Sequence, residues 1–153
     1  MTARSVQHAT FTIERAYDAP LALVFRAWAD KDAKARWFAA PVDWKDVVRE
    51  QDFRVGGRDR LKGTWPDGHV SDFTAQYWDI VPEQRIVYVY EMHIDGVKIS
   101  VSLATVQFRK AGKGSGLIVT EQGAFLDGYD DSGSRERGTG TLLDGLGRSL
   151  QSP

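Results

Sequence analysis

Cysteine is absent from the 153-residue chain. That excludes disulfides, thiolate metal ligands and cysteine nucleophiles together, and it fits a reducing compartment. A surplus of either charge is also missing. Twenty Lys and Arg face 21 Asp and Glu, a formal net charge of -1, so no overall field draws the chain to nucleic acid or to an anionic membrane. No stretch of about 18 apolar residues occurs, and Met1 to Thr10 holds no apolar run of the kind a secretory signal uses. The expectation is a soluble, cytoplasmic protein without a nucleic-acid or membrane partner. Histidine is scarce: His8, His69 and His93 are widely spaced, with no pair at metal-ligand spacing.

Motifs of catalysis are lacking as well. Ser115 sits in Gly114-Ser115-Gly116, which does not meet the G-x-S-x-G spacing of a nucleophile elbow. Lys113 is followed by Gly114 where a phosphate loop needs Ser or Thr, and Gly138-Thr139-Gly140 lacks the third glycine of a dinucleotide fingerprint. No catalytic residue, metal or cofactor is expected.

Present instead is ordinary globular material, 42% hydrophobic and 27% charged, at a length that buries roughly 68–70% of the unfolded surface. One domain over residues 1–153 is expected, with residues 1–9 as a flexible tail. Phe11 to Tyr17 alternates large and polar residues, as a strand covered on one face does. Asp18 is a candidate cap for a helix from Leu21 to about Asp30, with Val24, Phe25 and Trp28 at helical spacing. Ala33 to Phe38 reads as a second short helix. Strands follow at 43–55, 58–65, 70–81, 85–94, 97–109 and 116–125, with turns at Gly56-Gly57, Pro66-Asp67-Gly68 and Asp95-Gly96 and a flexible link at 111–115. Ser134 is a candidate cap for a last helix bearing Arg135, Thr139, Leu142, Leu143, Leu146 and Leu150. Gly138, Gly140, Gly145 and Gly147 weaken that helix by up to about 1 kcal/mol each, so packing must hold it.

Ile13-Glu14-Arg15, Asp18-Ala19-Pro20, Val24 to Trp28, Arg36-Trp37-Phe38, Phe53 to Gly57, Asp67-Gly68, Ile80 to Arg85, Thr120 to Gly123 and Arg135 to Gly138 occur in this order. Together they resemble the activator of heat-shock protein 90 ATPase homologue-like family of the START-like, birch-pollen-allergen-like (SRPBCC) superfamily. The resemblance implies an α+β helix-grip fold: a curved antiparallel sheet around a long C-terminal helix, with two short helices after the first strand. The eukaryotic activators carry a further N-terminal domain that binds the chaperone's middle segment, and this chain resembles their C-terminal domain.

Strand parity selects the residues expected to face a groove between sheet and last helix: Ile13, Arg15, Ser100, Ser102, Ala104, Val106, Phe108, Val119 and Glu121, with Thr139, Leu143 and Leu146 from the helix. Serines at 100 and 102 suit a wet pocket better than a dry core. If the first and last strands are neighbours, Arg15 and Glu121 share a face and are expected to pair as a polar anchor. Trp28, Trp37, Phe38, Tyr88, Tyr90 and Phe108 are candidates for a cavity mouth. The favoured function is a non-catalytic module holding an apolar or amphipathic small molecule, as monomer or homodimer. The alternative is a chaperone-cofactor-like or stress-response module that binds another protein through its surface.

Overall fold

The computed structural model describes residues 3–151. Seven strands form one antiparallel sheet: β1 (Val6–Tyr17), β2 (Lys45–Gln51), β3 (Arg58–Thr64), β4 (Val70–Val81), β5 (Arg85–Ile94), β6 (Val97–Ala111) and β7 (Gly114–Leu126). Their spatial order is β1-β7-β6-β5-β4-β3-β2. The short connections between successive strands from β2 to β7 dictate that order, because a tight hairpin can only join antiparallel neighbours. At Asp95-Gly96 both residues have positive φ (53° and 77°), the primed turn whose twist matches the strands it joins. Helices α1 (Leu21–Ala29) and α2 (Lys31–Ala35) follow β1, and α3 (Ser132–Gln151) closes the chain. This is the α+β helix-grip arrangement.

Residues 6–9 are not a tail. They pair with β7, Val6 opposite Leu126 and Ala9 opposite Gly123, and the Asp127 amide donates to the Ser5 carbonyl at 2.9 Å; Met1 and Thr2 lie outside the described residues. The 111–115 segment is a tight hairpin rather than a flexible link, with only Gly112 and Lys113 between β6 and β7. The helix caps also differ from expectation. Pro20, not Asp18, precedes α1, and its carbonyl takes the Leu23 and Val24 amides. Asp30 caps α2 by accepting the Ala33 amide at 2.9 Å, so α2 starts earlier than expected and 36–38 is a turn. Asp131, not Ser134, caps α3: its Oδ1 accepts the Ser134 amide at 2.8 Å. An aspartate two or three residues ahead satisfies the free amides as well as a serine does, and its charge suits the helix N-terminus better.

The inner face of the sheet is graded. Across one row Tyr77, Tyr88, Ala104, Glu121 and Phe11 are partners in register, and across the next Ala75, Tyr90, Ser102 and Gly123. The rings of Tyr88 and Tyr90 on β5 thus stand beside the small Ala104 and Ser102 on β6. Helix α3 lies over β1 and beside α1. It is fixed there by the Tyr17 hydroxyl, which donates to the Leu143 carbonyl at 2.8 Å, and by Gly147, which lets the Tyr17 ring approach the helix. Leu143 and Leu146 are buried in the shared core with Ile13, Val106 and Val119. At the far edge of the sheet a bulge between Lys45 and Val48 interrupts β2.

Two glycine substitutions separate these effects. A Cβ on Gly114 would lie 2.3 Å from the Tyr17 carbonyl oxygen, whereas one on Gly138 of α3 meets nothing within 4 Å. Gly114→Ala is expected to lower the unfolding free energy by roughly 1–3 kcal/mol through overpacking. Gly138→Ala is expected to raise it by about 0.5–1 kcal/mol through helix propensity. Urea titrations of the two variants check both signs.

Candidate functional site

Because α3 is held over β1, it does not cover the inner faces of β3, β4 and β5. A cavity of about 520 Å³ lies there. Eight aromatic residues line it: Trp28 from α1, Trp37 and Phe38 from the turn after α2, Trp44 and Trp65 from loops, and Phe73, Tyr88 and Tyr90 from the sheet. Leu61, Met92, Val119, Leu142 and Leu143 complete its apolar wall. The rings meet edge to face, Trp28 on Trp37 at 4.8 Å and Phe38 on Phe73 at 4.9 Å between centres, the arrangement their quadrupoles favour. The Trp37 indole donates to the Ala27 carbonyl at 2.8 Å, which ties the turn after α2 to α1.

Charged groups enter this apolar space at two places. At one end Lys34, only 3% exposed, donates to Asp59 Oδ2, and the Tyr77 hydroxyl donates to the same oxygen at 3.0 Å. The Lys34 ammonium lies 4.9 Å from the Phe38 ring centre, 5.8 Å from Trp28 and 6.0 Å from Tyr77, so rings replace part of its lost hydration. Burial lowers its pKa, and Asp59 opposes the shift.

At the other end Glu121, 4% exposed, accepts from the Tyr90 hydroxyl on one oxygen and from Thr139 Oγ1 at 3.2 Å on the other. Arg135 donates to the Tyr90 hydroxyl at 3.1 Å, to Ser100 Oγ at 2.8 Å and to Asp130 Oδ2 at 2.9 Å. Its guanidinium also stacks 5.6 Å from Tyr90 and 5.3 Å from Phe125. Burial pushes the Glu121 carboxyl above its ordinary value, against the Tyr90 and Thr139 hydrogen bonds and the Arg135 charge. Burial and then the Glu121 charge hold the Tyr90 hydroxyl well above its usual range, so it remains a proton donor. The cluster can orient a polar group of a ligand. Among the described residues no group of three or more His, Asp or Glu could hold a metal, and no helix is long and apolar enough to cross a membrane.

Of the residues expected to face the groove, Val119, Glu121, Thr139 and Leu143 line the cavity. Ile13, Ala104, Val106, Phe108 and Leu146 are buried in the core instead, under the part of the sheet that α3 and α1 cover. Ser100 is the Arg135 acceptor, and Ser102 is buried beneath with no hydrogen-bond partner among the described residues. Arg15 does not pair with Glu121. The parity is right and the register is not: Phe11 stands opposite Glu121, and Leu117 opposite Arg15, four residues or roughly 13 Å along the strand. Arg15 binds Asp144 at 2.8 Å on the outer side of α3, and Gly140 faces Arg15 rather than the cavity. Of the expected mouth aromatics all but Phe108 line the cavity.

Lys34 and Asp59 were not among the expected site residues. A lysine on a short helix reads as solvated, and its partner lies 25 residues away. Arg135 was expected in the helix stripe, but no spacing links it to Tyr90 or Ser100. Leu61, Phe73 and Met92 were legible in principle, as they alternate in phase with Tyr88 and Tyr90 through the strand pairing.

Two measurements follow from these charges. Lys34→Met leaves the Asp59 carboxylate buried without its cation and is expected to cost about 3–5 kcal/mol. Adding Asp59→Asn is expected to restore most of the loss, since Tyr77 keeps an acceptor. For Glu121, a folded pKa above the unfolded value of 4.5 means that its contribution is full below pH 4.5 and falls as pH rises through the folded pKa. Chemical denaturation from pH 4 to 8 is therefore expected to show wild type losing stability relative to Glu121→Gln as pH rises.

The comparisons with known proteins agree with this architecture. The chain is similar over 99% of its length to an uncharacterised protein from Rhizobium leguminosarum, with 45% identity, a TM-score of 0.94 and 100% of that chain covered. It is similar over 95% of its length to the Mll3558 protein from Rhizobium loti, with 44% identity, a TM-score of 0.87 and 99% of that chain covered. The solution structure of an AHSA1-like protein from Aeromonas hydrophila matches 94% of the chain at 26% identity, with a TM-score of 0.72 and 93% of that chain covered. No curated protein matches the chain. The model of the family described as activator of Hsp90 ATPase homolog 1-like protein matches residues 18–151, which takes in both short helices, β2 to β7 and α3, and the chain belongs to that family.

Proposed function

We propose that this chain is a non-catalytic binding protein that holds an apolar or amphipathic small molecule in the cavity between the sheet and α3. The observation that carries the reading is the cavity itself. Its volume of about 520 Å³ falls in the range of small-molecule sites, and its make-up fits one: mostly aromatic and aliphatic wall with a few convergent polar groups. Eight rings around a void are also costly to leave unfilled, since each wall atom without a neighbour forfeits its dispersion contacts. The buried Glu121, Arg135 and Lys34 are each held by protein partners, so binding and orientation account for them without a reaction. The chaperone-cofactor alternative would draw on a contiguous apolar patch. The exposed Trp78 and Leu103 flank Val89 on the outer face of the sheet, three apolar side chains against the thirteen of the cavity wall, so the cavity is the better-supported site.

The neutral dye N-phenyl-1-naphthylamine brightens in apolar surroundings and tests this reading directly. Wild-type protein is expected to bind it with a micromolar dissociation constant. Gly138→Trp places a ring at a cavity-lining position whose Cβ would stand in open space, and is expected to weaken the dye by about tenfold with an unchanged circular dichroism spectrum. Equal dye binding in the folded variant would place the dye elsewhere and remove the support for the cavity as a site.

A further inference from the structure

Most polar groups that reach the cavity wall are already engaged with protein, and the exceptions locate where a ligand's polar atom belongs. Lys34 donates to Asp59, the Trp37 indole to the Ala27 carbonyl, and the Tyr90 hydroxyl to Glu121. Both Glu121 oxygens accept from hydroxyls, with the Arg135 charge close by, and Arg135 in turn holds Asp130. The Trp28 and Trp65 indole nitrogens lack acceptors, but protein encloses them and they do not open onto the cavity. Among the buried residues of the wall, two free polar atoms are left: the hydroxyls of Tyr88 and Ser71.

Tyr88 is 9% exposed and Ser71 7%. Neither hydroxyl has a hydrogen-bond partner among the described residues, yet neither is sealed in as the two indole nitrogens are. Both residues stand on the inner face of the sheet, so the surface they keep faces the cavity. Their depths differ. Ser71 is the second residue of β4, opposite Ile94 at the end of β5 and beside the exposed turn at 66–69, where water can serve it. Tyr88 is opposite Tyr77, six residues or roughly 20 Å further along β4. On its other side only Ala104 separates it from Glu121 in the register. Native interiors rarely leave such a hydroxyl without a partner, because the group has lost its water and gained nothing in return. Burial, and after it the Glu121 charge, holds the Tyr88 hydroxyl well above its usual range, so at neutral pH it presents an O–H. Asp59 and Glu121 are both close enough to act on it, which disfavours an anion there. A cation would find both carboxylates already supplied with protein donors, and burying an unmatched charge is costly. A neutral oxygen carries neither penalty.

Resting on the binding reading above, we propose that Tyr88 orients the ligand, and that the ligand is an uncharged apolar molecule whose inner end bears a carbonyl or hydroxyl oxygen that accepts the Tyr88 O–H. The surrounding rings and aliphatic side chains supply contact area but no direction. Tyr88 supplies the direction, because a ligand entering apolar end first would leave both its own oxygen and the phenol unpaired.

Two probes of one shape test this: 2-acetonaphthone, and 2-isopropenylnaphthalene, in which a CH2 group replaces the ketone oxygen. Displacement of N-phenyl-1-naphthylamine reads their affinities for wild-type protein and for Tyr88→Phe. The substitution is expected to weaken the ketone about fivefold and to change the alkene by less than about twofold, the size of one neutral hydrogen bond. Ser71→Ala is expected to shift both probes equally. With the carbonyl carbon of the ketone 13C-labelled, its resonance in the wild-type complex is expected downfield of its position in cyclohexane, and at that position in Tyr88→Phe. The charged analogues 2-naphthoate and 2-naphthylmethylammonium are expected to bind about tenfold or more weakly than the ketone at pH 7. Because the hydroxyl has no protein partner to lose, the urea midpoint of Tyr88→Phe is expected to equal or exceed that of wild type. The assignment is overturned, with the binding reading intact, by a lower midpoint, by an equal change in both probes, or by a ketone-selective loss in Ser71→Ala. A wild-type carbonyl resonance at the cyclohexane position, or a charged probe binding as tightly as the ketone, overturns it as well. If neither these probes nor the dye binds, both readings fall.

Discussion

Helix α3 is anchored along one edge of the sheet, and the rest of the interior follows from that. The Tyr17 hydroxyl donates to the Leu143 carbonyl, Gly147 admits the Tyr17 ring, and Arg15 holds Asp144 on the outer side. With four of its residues after 137 being glycine, the helix has little propensity of its own and takes its position from these contacts. The sheet below it is seven strands wide, about 30 Å at the usual strand spacing, while a helix is about 10 Å across. One helix therefore covers β1, β7 and part of β6, and α1 extends that cover only locally. What remains over β3 to β5 is closed by rings from α1, the turn after α2 and the loops, which is why the cavity is aromatic.

Placing charge in such a space is expensive, and each of the two buried cations in this cavity has both a counter-charge and an aromatic face. Lys34 has Asp59 and the Phe38 ring; Arg135 has Asp130 and the Tyr90 ring. The two clusters also join elements that the sheet does not join. Lys34 links α2 to β3 through Asp59, and Arg135 links α3 to β5 and β6 through Tyr90 and Ser100. Such pairs add little net stability compared with apolar replacements, but they fix one arrangement of the parts. In this chain the parts so fixed are the two walls of the cavity.

The order of the elements was readable because period-two alternation and turn residues are local signals. The strands at 70–81 and 85–94 and the Asp95-Gly96 turn stand where the pattern put them. Register is not local. Parity correctly placed Arg15 and Glu121 on one face, yet the separation along the strands depends on where the Gly112-Lys113 hairpin turns and how β1 then aligns with β7. The same limit applies to core and cavity. Ala104, Val106 and Phe108 share a face with Ser100 and Ser102, and only the lateral position of α3 decides which end of that face is covered. Lys34 was illegible for a different reason: its burial depends on Asp59 and on the rings of Trp28, Phe38 and Tyr77 from separate elements, and nothing in the spacing of any one of them records the others.

The edge of the sheet farthest from α3 bears on how the protein behaves at high concentration. An edge strand offers unpaired amides and carbonyls to any other strand, and β2 exposes Val47 and Val48 as well. Its bulge at Lys45 to Val48, where Asp46 adopts a φ of 52°, breaks the straight run of hydrogen-bonding groups that a second sheet would need. Lys45 and Glu50 add charge to the same short strand. An irregular, charged edge is a common defence against sheet-to-sheet aggregation. The opposite edge, β1, has α3 over its inner face and exposes Thr10, Thr12 and Glu14 on the other.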